Sequence, residues 1–181
     1  MNKELFWKLM EETKSSCGKN MEDMTNILRD KLIKYPIKDI KKFDSIFYEY
    51  HDAACKDGIC NVGQIMNRGI MTDDGFIDFR SWLIAQGKKV YMQALKNPES
   101  LVEQAEKHID GWYDFETIAY AASYAISKKS KKSYLHREEL SEDEKKDIRS
   151  EIVYYEYADK DLSQFEVKRY YPKLVKHFLN W

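Results

Sequence analysis

The chain has little of several things that would narrow its class at once. Its three cysteines, Cys17, Cys55 and Cys60, are an odd number, so a disulfide-stapled secreted scaffold is not expected. Three prolines and seven glycines are too few for the turn-dense sequence of an all-β sandwich or barrel. No apolar run approaches the ~20 residues that cross a bilayer, and no early stretch has the basic, apolar and small-residue order of a cleavable signal. An excess of one charge is missing as well. Thirty basic residues stand against 31 acidic ones, a formal net charge of -1, which supplies no bulk drive toward nucleic acid or anionic lipid. No P-loop, dinucleotide fingerprint, nucleophile elbow or paired-histidine zinc motif occurs. These absences leave a cytoplasmic helical protein with reduced thiols as the expectation.

What the chain does have is helical periodicity. Its 181 residues, 43% of them hydrophobic, suit one compact domain over residues 1–181 that buries about 70% of its unfolded surface. The expected fold is all-α, a multi-helix domain built around a central helix at about 72–95, TDDGFIDFRSWLIAQGKKVYMQAL. At about 100° per residue, Phe76, Phe79, Leu83, Gly87, Val90 and Ala94 share one face, and Ile77, Ile84, Tyr91 and Leu95 widen it. That arc is broader than the stripe of an ordinary surface helix. Thr72 reads as its N-cap, with Asp73 and Asp74 in the first turn.

Ahead of it, helices are expected at about 2–16, 20–35 and 37–56, the first two as an antiparallel hairpin, and a short helical turn at 61–67. After it come a helix opened by Asn97-Pro98 and ending near His108, an Ala-rich helix over 115–127, and the basic run 128–132. From 128 to about 158 the chain reads as an irregular, charged peripheral insertion. Within it, Ser141 with Glu144 forms a capping box for an exposed helix, and the stretch 151–157, EIVYYEY, reads as irregular structure packed by tyrosines. Ser163 with Glu166 forms a second capping box, and a helix interrupted at Pro172 follows.

Arg80 breaks the central pattern. It projects from the apolar face, where a guanidinium requires acceptors. Asp44 and His51 intrude in the same way on the apolar face of the helix at 37–56. If those faces meet, Asp44 can accept a bidentate pair from Arg80 and His51 can join them. The structural reading is a buried polar network that sets helix register. The functional reading is a pocket in which Arg80 holds an anionic ligand or a partner carboxylate while Asp44 and His51 tune it.

Other clusters carry less. Asp73, Asp74 and Asp78 lack the spacing of a calcium loop and suit the solvated start of a helix. His51, Cys55 and Cys60 lack a fourth zinc ligand. No metal and no cofactor is expected. The basic run 128–132, flanked by Tyr124 and Tyr134, is offset by the acidic residues that follow, so no nucleic-acid partner is expected.

Four blocks carry a resemblance: FWKLMEE at 6–12, DDGFIDFRSWLIAQGKKVY at 73–91, NPESL at 97–101 and YYPKL at 170–174. Together they resemble the bacterial family catalogued as domain of unknown function 4240, over roughly Phe6 to Leu174. The resemblance implies a small helical cytoplasmic protein without an established activity. Asp74, Gly75, Phe76, Phe79, Arg80, Trp82, Gln86 and Gly87 are its signature positions, and Glu116 resembles a further acidic one. The segment 128–157 departs from the family pattern. The candidate polar site is accordingly Arg80, Asp44, His51, Glu116, Gln86 and Trp82. The leading expectation is a noncatalytic binding or interaction module of regulatory or immunity type, with a protein partner. The alternative is an enzyme or small-ligand binder, with Arg80 as anchor for an anionic ligand and His51 or Glu116 as acid/base.

Overall fold

The computed structural model describes residues 1–18, 21–105, 112–132, 136–160 and 162–179. The helix start at Asn20, the helix end near His108 and Tyr134 lie outside them. Among the described residues the chain is all-helical, without strands. Its α-helices are α1 Lys3–Ser16, α2 Met21–Leu32, α3 Ile37–Ala53, α4 Asp57–Met66, α5 Asp73–Ala85, α6 Lys88–Lys96, α7 Val102–Ala105, α8 Ala121–Ser130, α9 Glu142–Ser150, α10 Gln164–Tyr170 and α11 Pro172–Phe178. Two 3-10 turns, Pro98–Leu101 and Glu116–Tyr120, lie between them. No helix is long and apolar enough to cross a membrane among the described residues.

The starts of these helices follow from local chemistry. Asn2 and Thr72 each accept a backbone N–H three residues on, at 3.0 Å, and both serine capping boxes close reciprocally, so donors left without intrahelical partners are satisfied. α1 and α2 form the expected hairpin, with Lys31 near the end of α2 reaching back to Glu12 of α1 at 3.3 Å. Over α3, spacing of three and four buries Ile40, Phe43, Phe47 and Tyr50. Phe6 and Trp7 of α1, Phe43 and Tyr50 of α3 and Tyr91 of α6 then make one aromatic cluster, with ring centroids from 4.7 to 5.5 Å apart. Edge-on and tilted contacts of this kind contribute about 0.5–1.5 kcal/mol per pair beyond area burial.

The central helix is two helices, not one. The backbone breaks at Gln86 and Gly87, and Gly87 takes φ +92° and ψ 165°, a region open to glycine and closed to most side chains. Lys14 of α1 donates to the Gln86 carbonyl at 2.8 Å and closes the end of α5. The apolar arc is also narrower than projected, because Phe76 is half-buried and Ile77 is 44% exposed. A third difference lies at the turn expected over 61–67: it is the longer helix α4, with Gly58 in its first turn, where the Gly58 N–H donates to the Ala158 carbonyl at 2.9 Å.

Within the charged segment after 128, α9 is the helix and the stretches described on either side of it are irregular. α9 turns its charged residues outward but buries Ile148 against α3, and Leu140 and Ile152 on either side of it are also buried. The stretch after α9 is irregular and held by its tyrosines: Tyr154 donates to the Ala53 carbonyl at 3.2 Å, and the Tyr155 N–H donates to the Leu95 carbonyl at 2.8 Å.

Gly87→Ala tests the break. A Cβ there meets the Glu11 side chain at an ordinary 3.6 Å, so the cost is conformational, about 1–2 kcal/mol. Urea unfolding should show that loss; an unchanged midpoint would mean that the positive φ is not required.

Candidate functional site

The six residues singled out in the sequence do not converge on one place. Arg80 and His51 meet. The His51 side chain on α3 donates from Nε2 to the Ile77 carbonyl of α5 at 2.9 Å, and Arg80 on α5 donates from Nη1 to the His51 carbonyl at 3.1 Å. Each helix thus hands a side chain to the other's backbone. Arg80 also donates from Nε to the Phe76 carbonyl at 3.3 Å and lies over the Phe76 ring at 4.7 Å. It is 7% exposed, and among the described residues its guanidinium meets carbonyls and a ring but no carboxylate.

The expected bidentate Arg80–Asp44 pair does not form. α3 and α5 meet at His51, and Asp44 lies two turns away, about 10 Å along the helix axis. Its carboxylate is taken by Arg137 at 3.0 Å, whose guanidinium also lies 3.3 Å from the Tyr48 ring centroid. Gln86 serves the end of α5, donating to the Trp82 carbonyl at 3.1 Å and accepting from Lys14 at 3.2 Å. Trp82 is a core residue between Phe79 and Tyr113, at 5.3 and 5.2 Å. Glu116 sits on the surface and accepts from the Tyr120 hydroxyl at 2.8 Å.

What Arg80 does is close the C-terminal end of α3. The last carbonyls of a helix lack intrahelical donors, and here all four are met. Tyr91 donates to Tyr50, Arg80 to His51, the Cys55 N–H to Asp52 and Tyr154 to Ala53. A cation at this end is also favoured by the helix dipole. Burial holds the His51 imidazole below its ordinary pKa, the Arg80 and Arg137 charges push the same way, and the Ile77 carbonyl and Asp52 oppose them.

A different group of residues does assemble, on the far side of α5. The Phe115 N–H donates to the Asp78 carbonyl at 3.1 Å and seats the turn Glu116–Tyr120 against α5. Asp74, Asp114 and Glu116 then lie near enough to Asp78 to act on its charge. The Asp78 carboxyl is raised above its usual range, first by partial burial and then by the charges of Glu116, Asp114 and Asp74. Tyr120 is pushed up to about 12, chiefly by its hydrogen bond to Glu116. Around these acids Ile77, Tyr120 and Tyr124 are 44%, 40% and 46% exposed, and the two tyrosine rings are 6.1 Å apart. The sequence pattern assigns Asp78 to the solvated start of the helix rather than to a metal site and places Ile77 on the buried arc. Ile77 lay at the edge of that arc, and this was the available signal. Among the described residues no three His, Cys, Asp or Glu side chains are placed to hold a metal ion.

Arg80→Met keeps the stem and removes the donors. Loss of the charged hydrogen bonds should lower stability by about 2–3 kcal/mol in denaturant unfolding, and a variant of native stability would remove Arg80 from this structural role. His51 gives a pH test. Its folded pKa lies below the unfolded value near 6.5, so the unfolded chain binds the extra proton. Stability is then complete above about pH 6.5 and falls as pH drops through the window below it. His51→Gln should flatten that limb; an equally steep acid limb would show that His51 does not set it.

A family model described as Protein of unknown function (DUF4240) matches residues 1–128. The match ends short of the stretch to Leu174 that the resemblance took in, leaving α9, α10 and α11 beyond it. Comparison with curated proteins and with solved structures finds no match. It is the first 128 residues, α1 to α7 and most of α8, that place this chain, and by them it belongs to the family described as Protein of unknown function (DUF4240).

Proposed function

We propose that the protein is a noncatalytic interaction module whose working surface is the acidic, aromatic-rimmed face of α5 and the turn Glu116–Tyr120. One observation carries this reading. Asp78, its carboxyl raised first by partial burial and then by the charges of Glu116, Asp114 and Asp74, lies beside apolar and aromatic side chains left open to water. Repelling charges are not placed together for the stability of the free chain. They suit a partner that brings positive charge. Lys or Arg side chains would set their charged ends on Asp78 and Glu116 and their stems along Tyr120 and Tyr124. The occupant is therefore a Lys/Arg-rich segment of another protein, recognised by charge complementarity with an aromatic rim.

The alternative, an enzyme or anionic-ligand pocket centred on Arg80, draws support from the lack of a carboxylate beside that guanidinium. It is the weaker reading, because the α3 carbonyl and the Phe76 ring already account for the position of Arg80.

A short Lys/Arg-rich peptide titrated into the full chain and followed by amide NMR tests the proposal. Shifts should cluster around Asp78, Glu116 and Tyr120, and affinity should fall about ten-fold when ionic strength rises from about 0.05 to 0.3 M. The double variant Asp78→Asn, Glu116→Gln should weaken binding at least as much. Shifts centred elsewhere, or a double variant that binds like the parent, would rule this face out.

A further inference from the structure

α4, α10 and the residues Leu162 and Leu179 border an open pocket of about 280 Å³. Three carboxamides line it, Asn61, Gln64 and Gln164, together with Ile65, Leu162 and Val167. Among the described residues no ionisable side chain does. The Asn61 Nδ2 is shut off from solvent and has no hydrogen-bond acceptor among the described residues. Buried polar groups are nearly always paired, so a buried amide donor without a partner calls for one. Rotation about the broad χ2 torsion of Asn61 turns its donor to the cavity at little cost. Gln64 is set differently. Its Nε2 donates to the Gly69 carbonyl at 3.1 Å, which leaves Oε1 as its acceptor.

We propose that this cavity binds a small uncharged ligand bearing an amide or lactam edge. A donor at Asn61 and an acceptor at Gln64 complement the C=O and N–H of such an edge. Ile65, Leu162 and Val167 take its apolar body. A charged ligand would lose water there and meet no counter-charge among the described residues. The volume limits size: it lies just under the ~300 Å³ at which drug-sized pockets begin and equals the space of about nine waters, so one ring fits and a dinucleotide does not. Leu162, Gln164 and Val167 lie beyond the residues matched by the family model, so half of the wall comes from this chain's own C-terminal third. It is separate from the acidic face and stands or falls without it.

Nicotinamide and nicotinate form a matched pair of probes, alike in size and different in charge. With the full chain, nicotinamide should shift the Asn61 and Gln64 side-chain amide signals saturably in the millimolar range, and nicotinate should bind at least ten-fold more weakly. Asn61→Leu should lose at least ten-fold in nicotinamide affinity without lowering the melting temperature. Should that variant not fold, Gln64→Met, on the exposed rim, reads the same edge. Val167→Trp fills the space and should abolish binding. No saturable shift with nicotinamide, equal binding of nicotinate, or full affinity in the filled variant would each overturn the proposal.

Discussion

Helix C-termini end in carbonyls that the helix itself cannot satisfy, and this protein meets several of them with side chains from other helices. Lys14 of α1 closes the end of α5, Lys129 of α8 donates to the Ile33 and Tyr35 carbonyls past the end of α2, and Arg80 of α5 closes α3. Each contact joins a positive side chain to the negative end of a helix dipole, so one interaction both satisfies a backbone group and fixes where one helix sits on another. The end of α3 is the most heavily served, by α5, α6 and the segment after α9 together. With so few glycines to form αL caps, long cationic side chains take over that task.

How far this was legible depends on the range of each interaction. Helix starts were readable because a cap and its partner lie three residues apart, as at Thr72, Ser141 and Ser163. The inward faces of α3 and α5 were readable because burial repeats every three or four residues. Even the meeting of Arg80 with His51 followed from two polar residues on two apolar faces. The choice of acceptor did not follow, since a projection locates side chains and is silent about the carbonyls exposed where a helix stops. Asp44 shows the limit more sharply. Its partner Arg137 is 93 residues away, in a stretch whose own pattern was charged throughout. Gly87 misled for a different reason: with no side chain, it suits a crowded helix face and a helix break equally well.

The two surfaces that stand out have different origins. The acidic face lies wholly within the residues matched by the family model, on α5 and the turn Glu116–Tyr120. The amide-lined cavity is bordered by α4, α10, Leu162 and Leu179, and half of its wall comes from outside the matched residues. The proposed interaction surface and the proposed small-molecule site share no residues.

The dependence of α3 on the last third of the chain bears on where the protein can be cut. Asp44 and Glu49 are nearly inaccessible, and the cations that pair with them, Arg137 and Arg149, both come from beyond residue 128. A fragment ended at the edge of the family match would strand two carboxylates in a low-dielectric surface and uncover Ile46 and Tyr50 beside them. The extent of sequence kinship thus stops short of the cations that neutralise α3, and an expression fragment designed from it would leave both of them out.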